Sequence, residues 1–223
     1  MSTTKPVRMG SRMARAAKSG NPHKANELIV VPRRDLAIEF ANTLGWRGSA
    51  PAESLHSIGD VIAWLSANKA MQPFSMTELQ KWFDAHSAQS TLAFDEVIRL
   101  RETIYRLLSR AAASTDAAGE DFHQLNKALS DAEPRTLLER TGDAFGWRIE
   151  ARPTAVGIIA PVLWSAADIL VGPDSVRVRA CANEQCRWLF LDDSKNGSRR
   201  WCSMQACGNR AKAHRHYLRK KGA

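Results

Sequence analysis

The sequence has no run of 18 or more apolar residues, so no segment of it would cross a membrane as a helix. The basic residues near its start are not followed by an apolar stretch, which argues against a secretory signal. We therefore expect a cytoplasmic protein with no membrane partner. Three catalytic patterns are also missing, namely G-x-S-x-G, the G-x-x-x-x-G-K-[ST] phosphate loop and H-E-x-x-H. We expect a protein that is not an enzyme.

Positive charge exceeds negative charge and is unevenly distributed along the 223 residues. The net charge is +9, yet residues 1–34 carry +7, residues 35–175 carry −7 and residues 176–223 carry +9. A basic balance favours a polyanionic partner, with nucleic acid as the first choice. Solvated tails without a partner are the alternative, and they suit the first basic segment better than the last.

Cysteine is absent from the first 180 residues and then occurs four times, at Cys181, Cys186, Cys202 and Cys207. Two close pairs separated by a short insert are typical of a structural zinc site, in which each pair supplies two thiolates. Four reduced cysteines or two disulfides are the alternatives, but disulfides need an oxidising compartment. Four thiolates fill a tetrahedral shell and leave no open position for catalysis. We therefore predict one structural Zn²⁺ held by these four residues.

The residues between and after the cysteine pairs predict a hairpin and a helix. Residues 187–191 are strand-like, Asn196-Gly197 is a strong tight-turn signal, and residues 199–201 are expected to form the returning strand. A segment without Gly or Pro then predicts a helix up to Lys221, with Cys207 and Leu218 on the face that packs on the metal.

A basic stripe follows another face of that helix, formed by Lys212, Arg215, His216 and Arg219. Like charges at these spacings repel, and no carboxylate occurs from Asn209 onward to offset them. A helix that bears this cost suggests an anionic partner, although a basic helix without a partner remains the alternative. Arg199 and Arg200 are expected to reach the same side. The predicted DNA contacts are Arg199, Arg200, Lys212, Arg215 and Arg219.

Residues 35–175 show mostly helical periodicity. A capping box is predicted at Ser75, a hairpin over 137–151, and a helix end at Gly172-Pro173-Asp174. We predict a basic disordered tail over 1–30, a helical domain over 31–175 that folds on its own, and a zinc domain over 176–223. The fold class is mainly α with a small β-hairpin: a helical N-terminal domain plus a small C-terminal zinc-stapled hairpin–helix (treble-clef-like) domain.

Two stretches resemble known families. The run from Arg199-Arg200-Trp201-Cys202 to Cys207-Gly208-Asn209-Arg210 is similar to the CGNR zinc finger, and the resemblance covers residues 178–219. Residues 35–44 resemble the start of the ABATE domain, a family of stress-induced transcription regulators, with Glu39 in place of the usual Asp. The resemblance implies four cysteine zinc ligands and a DNA-binding role, and we expect the partner to be double-stranded DNA.

Asn42 and Thr43 are polar residues directly beside an apolar helical stretch. They are interpreted either as a buried hydrogen-bonding pair or as part of a small-molecule pocket in a sensor domain. The function predicted from the sequence is a DNA-binding transcriptional regulator, whose zinc finger contacts DNA and whose helical domain senses a small-molecule effector or forms a homodimer. The alternative is a zinc-stapled adaptor that binds RNA or protein without sequence-specific DNA binding.

Overall fold

The structure, a computed structural model, describes Val30 and residues 33–221, so the predicted disordered tail lies outside the described residues except for Val30. The described part is mostly helical with small antiparallel strand pairs, which confirms the predicted fold class. Its α-helices are α1 Leu36–Ala41, α2 Ile58–Ala67, α3 Pro73–Ala85, α4 Ser87–Ala113, α5 Gly119–Asp131, α6 Ala155–Ile158, α7 Ala160–Val171 and α8 Asn209–Lys221. The strands are β1 Leu44–Gly45, β2 Ala52–Glu53, β3 Leu137–Thr141, β4 Ala144–Arg148, β5 Val178–Ala180 and β6 Leu189–Leu191, paired β1–β2, β3–β4 and β5–β6.

Helix α4 forms the centre of the fold. Val97, Leu100, Ile104 and Leu108 recur at helical spacing and are each at most 3% exposed, so one face of the helix is buried along its length. Helices α1, α2, α3, α5, α6 and α7 pack around this face. No helix within residues 33–221 combines the length and the apolar character needed to span a bilayer.

Two helix starts show how the chain enters the bundle. The Ser57 hydroxyl accepts a hydrogen bond from the Asp60 backbone N–H and so caps α2. The cap predicted at Ser75 is wrong, because α3 already begins at Pro73 and Ser75 lies inside it. Proline suits the first turn of a helix because that turn needs no N–H donor there and the ring presets φ.

The predicted hairpin at residues 137–151 is confirmed by β3 and β4. Its turn passes through Gly142, whose φ of 62° lies in the left-handed region that glycine adopts without strain. Val30 pairs with Trp147 on the other side of β4 through two backbone hydrogen bonds of 2.9 Å.

The strand over 189–191 pairs with a partner that differs from the predicted one. It forms β6 and pairs with β5, in the register Val178↔Leu191 to Ala180↔Leu189, rather than with residues 199–201. The hairpin is therefore closed by the loop that carries the first cysteine pair, and a backbone hydrogen bond of 2.8 Å from Cys181 to Trp188 extends it. Residues 199–203 carry no strand, although Ala182 donates to the Arg200 carbonyl.

The hydrophobic core continues across residue 175. Val178, Leu189 and Leu191 are at most 7% exposed and belong to the same cluster as the buried faces of α1 and α4. We call residues 36–171 the helical body and residues 176–221 the C-terminal module. The two share one core, whereas the sequence predicts a helical domain that folds without the C-terminal residues.

Candidate metal centre and nucleic-acid interface

The four cysteine sulfurs form one cluster in which all lie within 4.8 Å of one another. The β5–β6 loop supplies Cys181 and Cys186. Cys207 lies in a single π-helical turn, Met204–Gly208, which the Ser203 hydroxyl caps by accepting from the Ala206 N–H. Cys202 stands just before that turn. The four residues predicted as zinc ligands are thus brought together by one hairpin loop and one helix start.

The spacing of the sulfurs fits a tetrahedral zinc ion. With zinc–sulfur bonds of about 2.3 Å, the corners of a regular tetrahedron lie about 3.8 Å apart. The Sγ atoms of Cys186 and Cys202 are 3.7 Å apart, and those of Cys202 and Cys207 are 3.8 Å apart. The cluster therefore has the donor set of a closed four-thiolate site, and two of its six edges have the expected length.

Backbone and side-chain donors surround the sulfurs. The N–H groups of Cys202 and Asn183 donate to the Cys181 sulfur, and the Trp188 N–H donates to the Cys186 sulfur. The Asn183 amide lies 3.6 Å from the Cys207 sulfur. Such donors stabilise thiolates, which are the form of cysteine that binds metal.

The pKa values of the cysteines diverge because four sulfurs share a small volume. A hydrogen bond from Cys202, opposed by burial, lowers the pKa of Cys181 to about 5. Burial raises the pKa of Cys186 to about 11, and the bond to Cys181 together with burial holds the pKa of Cys202 far above its ordinary range. Without a cation the cluster resists holding four negative charges, and a divalent ion would remove that repulsion.

Two tryptophans pack against the cysteine cluster, and one of them comes from a distant part of the chain. Trp201 is next to Cys202 in sequence, whereas Trp46 follows β1 of the helical body and has a φ of 51°. The Arg210 guanidinium, at the start of α8, lies 4.6 Å from the centre of the Trp46 ring. Trp46 therefore connects the helical body both to the cysteine cluster and to α8.

The residues after Trp46 contact the β5–β6 loop, which carries Cys181 and Cys186. The Gly48 N–H donates to the Gln185 carbonyl at 3.1 Å. Arg47 donates to Glu102 and to the Ala41 carbonyl, and its guanidinium lies 3.7 Å from the centre of the Tyr105 ring. These contacts hold the loop over 46–48 between α4 and the C-terminal module.

Replacing Gly48 with Ala should destabilise the protein by about 2 kcal/mol, since overpacking a fitted contact costs roughly 1–3 kcal/mol. A Cβ at this position would lie 1.8 Å from the Glu184 carbonyl oxygen, so the first cysteine loop would have to shift. Urea unfolding measures the loss. Gly119→Ala is the matched control, because a Cβ there meets nothing within 4 Å. If Gly48→Ala were as stable as the wild type, the loop contact would not belong to the native state.

Helix α8 exposes most of its described side chains. Lys212 and Arg219 are exposed, as are Tyr217 and Leu218 at 57% and 52%. Leu218 therefore does not pack on the cysteine cluster, although the sequence predicts that it lies on the helix face that does. The backbone of Arg215 lies in α8, but its side chain lies outside what the structure describes.

The other two predicted DNA contacts differ from one another. The Arg199 guanidinium donates to the carbonyls of Trp201 and Cys202, and it lies 4.5 Å from the centre of the Phe190 ring. These guanidinium N–H groups are therefore engaged within the protein. Arg200 is exposed, and its guanidinium lies 5.5 Å from the centre of the Trp201 ring.

Asn42 and Thr43 are both buried. The Asn42 amide bonds to both backbone groups of Leu189, donating to the carbonyl at 2.9 Å and accepting from the N–H at 3.0 Å. Thr43 donates to the Phe40 carbonyl at 2.7 Å and accepts from Arg101. Asn42 thus ties α1 to β6, and Thr43 belongs to a buried charge network.

That charge network is centred on Arg101, a residue that no sequence motif marks. Its side chain is 2% exposed and donates to both Glu53 oxygens at 2.7 Å and to Glu102 at 2.9 Å. Burial raises the pKa of both carboxyls, but hydrogen bonds from arginines outweigh it, so both pKa values lie below the ordinary value. An arginine on an otherwise apolar helix face was the only signal in the sequence.

Two family models match the chain. A model described as "Putative stress-induced transcription regulator", named ABATE, matches residues 34–173. The CGNR zinc finger model matches residues 177–220. No curated protein matches the chain. The two matches reproduce the order of families that the sequence motifs indicate.

Proposed function

We propose that this chain, which belongs to the ABATE family and carries a CGNR zinc finger, regulates transcription by binding double-stranded DNA. The observation that supports the proposal is the position, charge and exposure of α8. The helix is anchored at its start beside the cysteine cluster, it has no acidic residue, and its described side chains beyond Ala211 are exposed. A fixed, exposed and uniformly basic helix fits the phosphates and the major groove of DNA.

One zinc ion has a structural role in this proposal. Cys181, Cys186, Cys202 and Cys207 would hold it and fill its coordination shell, so it would supply folding free energy rather than catalysis. The ion would join the β5–β6 loop to the π-helical turn that directly precedes α8. In this way the metal fixes the direction in which the basic stripe points.

The predicted contact residues have different parts in the proposal. Arg200, Lys212 and Arg219 are exposed and would neutralise phosphates. Arg215, between them on the stripe, would contact a guanine edge. Arg199 would instead stabilise the backbone around Cys202, because its guanidinium donates hydrogen bonds to the carbonyls of Trp201 and Cys202.

Salt titration tests the assignment of phosphate contacts. Each contact contributes about −0.9 to the slope of log K against log salt, so three contacts give about −2.7. Lys212→Ala should flatten the slope to about −1.8 and weaken binding to all sequences alike. Arg140→Ala removes an exposed charge at the β3–β4 turn and should leave the slope unchanged. An unchanged slope for Lys212→Ala would show that α8 does not contact phosphates.

Arg215 should determine specificity rather than overall charge attraction. Arg215→Ala should cost about 1–3 kcal/mol at the preferred site and relax the choice at one base pair. Genomic fragments selected with the intact protein would supply the preferred site, and competition between that site and a scrambled duplex would measure the loss. Equal discrimination by variant and wild type would contradict the role of Arg215.

An RNA-binding adaptor is the second candidate. Tyr217 is 57% exposed on the basic helix, and an exposed aromatic ring beside cations suits unpaired bases. Competition between a duplex and a structured RNA separates the two candidates. If the RNA competes better than every duplex and Tyr217→Ala removes its advantage, the adaptor function replaces the first proposal.

The helical body would sense an effector or form a homodimer. Asn42 and Trp46 connect it directly to β6 and to the cysteine cluster. A change in the helical body could therefore alter the position of the zinc finger without passing through a flexible linker.

A further inference from the structure

A cleft of about 460 Å³ lies between α1 and β6, where the helical body meets the C-terminal module. One wall is formed by Ile38, Glu39 and Asn42, and the other by Trp188 and Phe190. Cys202, one of the proposed zinc ligands, also lines the cleft. Its volume is in the range of sites that bind small organic molecules.

The charged groups in the cleft are mostly paired with other groups of the protein. Arg34 forms ion pairs with Asp174 and Asp193, and Asp35 pairs with Arg33. Arg199, which also lines the cleft, donates to backbone carbonyls. The cleft is therefore not a site for phosphate, because its cations are already engaged.

Glu39 is the exception. Within residues 33–221 no hydrogen bond or ion pair engages its carboxylate, although it lines the cleft. Glu39 is exposed at the cleft, where partial desolvation and the neighbouring Asp35 charge raise the pKa of its carboxyl against the opposing charge of Arg33. A cationic group in the cleft would pair with this carboxylate and stabilise its charged form.

The opposite wall offers an aromatic surface. Trp188 is 38% exposed and lines the cleft. Ile38, on α1, adds an apolar side chain to the facing wall. An ammonium group that pairs with the carboxylate could place an apolar body against this ring.

We propose that the cleft binds a small organic amine, whose ammonium group pairs with Glu39 and whose apolar part lies against Trp188. Binding would regulate the zinc finger, because the two walls belong to α1 and β6, which the Asn42–Leu189 hydrogen bonds hold together. Occupancy of the cleft would alter these hydrogen bonds and thereby the placement of α8. This regulatory step rests on the proposed function, whereas amine binding itself does not.

Phenethylamine is the probe, and calorimetric titration of the zinc-bound full chain is the measurement. Its matched analogues are 2-phenylethanol, which is neutral, and phenylacetate, an anion of similar size with the same phenyl ring. We expect phenethylamine to bind with a millimolar dissociation constant and both analogues to bind at least about tenfold more weakly. Glu39→Gln should weaken phenethylamine binding at least about tenfold while zinc content and thermal unfolding stay unchanged.

Asp95→Asn is the control, because it removes a carboxylate from an exposed position on α4 that does not line the cleft. Equal binding of the three compounds, no effect of Glu39→Gln, or no phenethylamine binding at millimolar concentration would overturn the proposal. A parallel DNA titration separates the two proposals. Loss of DNA binding alone would count against the proposed function, and loss of amine binding alone would count against the cleft.

Discussion

Cys202→Ser should release the zinc ion and abolish DNA binding. A serine hydroxyl is not ionised at neutral pH and is a poor zinc ligand, so the variant would lose most of a binding free energy on the order of 10 kcal/mol. The loss would free Cys207 and the start of α8 from the β5–β6 loop. Elemental analysis should show about one zinc per chain in the wild type and close to none in the variant.

The consequences should extend into the helical body. The sequence alone predicts that the variant loses the fold of the C-terminal segment and that the helical domain over 31–175 stays folded. Val178 and Leu189, however, lie in the common core, and Trp46 packs on the cysteines. We expect the variant to keep its helices but to unfold at a lower urea concentration than the wild type.

Lys195→Ser is the matched control for this experiment. It introduces the same residue at an exposed position in the insert between the two cysteine pairs. It should retain zinc, stability and DNA binding. Freshly purified wild-type protein without zinc, or Cys202→Ser protein that keeps one zinc per chain, would contradict the proposed site.

The parts of the fold that the sequence predicted depend on short-range patterns. Helix α4 shows its buried face through apolar residues at helical spacing, and the spacing of the four cysteines defines the metal cluster without any knowledge of the surrounding fold. The β3–β4 hairpin is similarly local, because its turn chemistry lies between its own strands.

The parts that could not be predicted depend on partners far away in the sequence. Leu189–Leu191 was recognisable as a strand, but composition does not say whether its partner precedes or follows it. The polar character of Asn42 was visible, whereas its partner Leu189 lies 147 residues away. Trp46 and Gly48 gave no signal, since their role is defined only by the cysteine loop that they contact.

Arg101→Met should destabilise the protein by about 3 kcal/mol. Removing one partner of a buried ion pair leaves an uncompensated charge and typically costs 3–5 kcal/mol. The lower end applies here, because Glu53 and Glu102 keep 28% and 29% of their side-chain surface exposed to water. Methionine keeps much of the apolar volume of the arginine side chain, so the loss reports mainly on charge. Urea unfolding at pH 7 is the measurement.

Arg99→Met is the matched control, because Arg99 lies on the exposed side of α4, is 70% exposed and pairs with Glu96. A surface pair of this kind contributes about 0–1 kcal/mol. A similar loss in both variants would show that the Arg101 network does not stabilise the fold through its charges.

The effect of Arg101→Met should also depend on pH. Since the folded-state pKa values of Glu53 and Glu102 lie below the ordinary value of 4.5, their contribution to wild-type stability is present above that pH and is lost as the pH falls through the folded values. In the variant, protonation of Glu53 instead removes the charge that the missing guanidinium leaves unpaired, whereas Glu102 keeps its ion pair with Arg47. The difference in unfolding free energy between wild type and Arg101→Met should therefore narrow steadily as the pH is lowered from neutral towards the lowered pKa values of the two glutamates. A difference that stayed constant over this range would mean that the arginine stabilises the core by packing rather than by its charge.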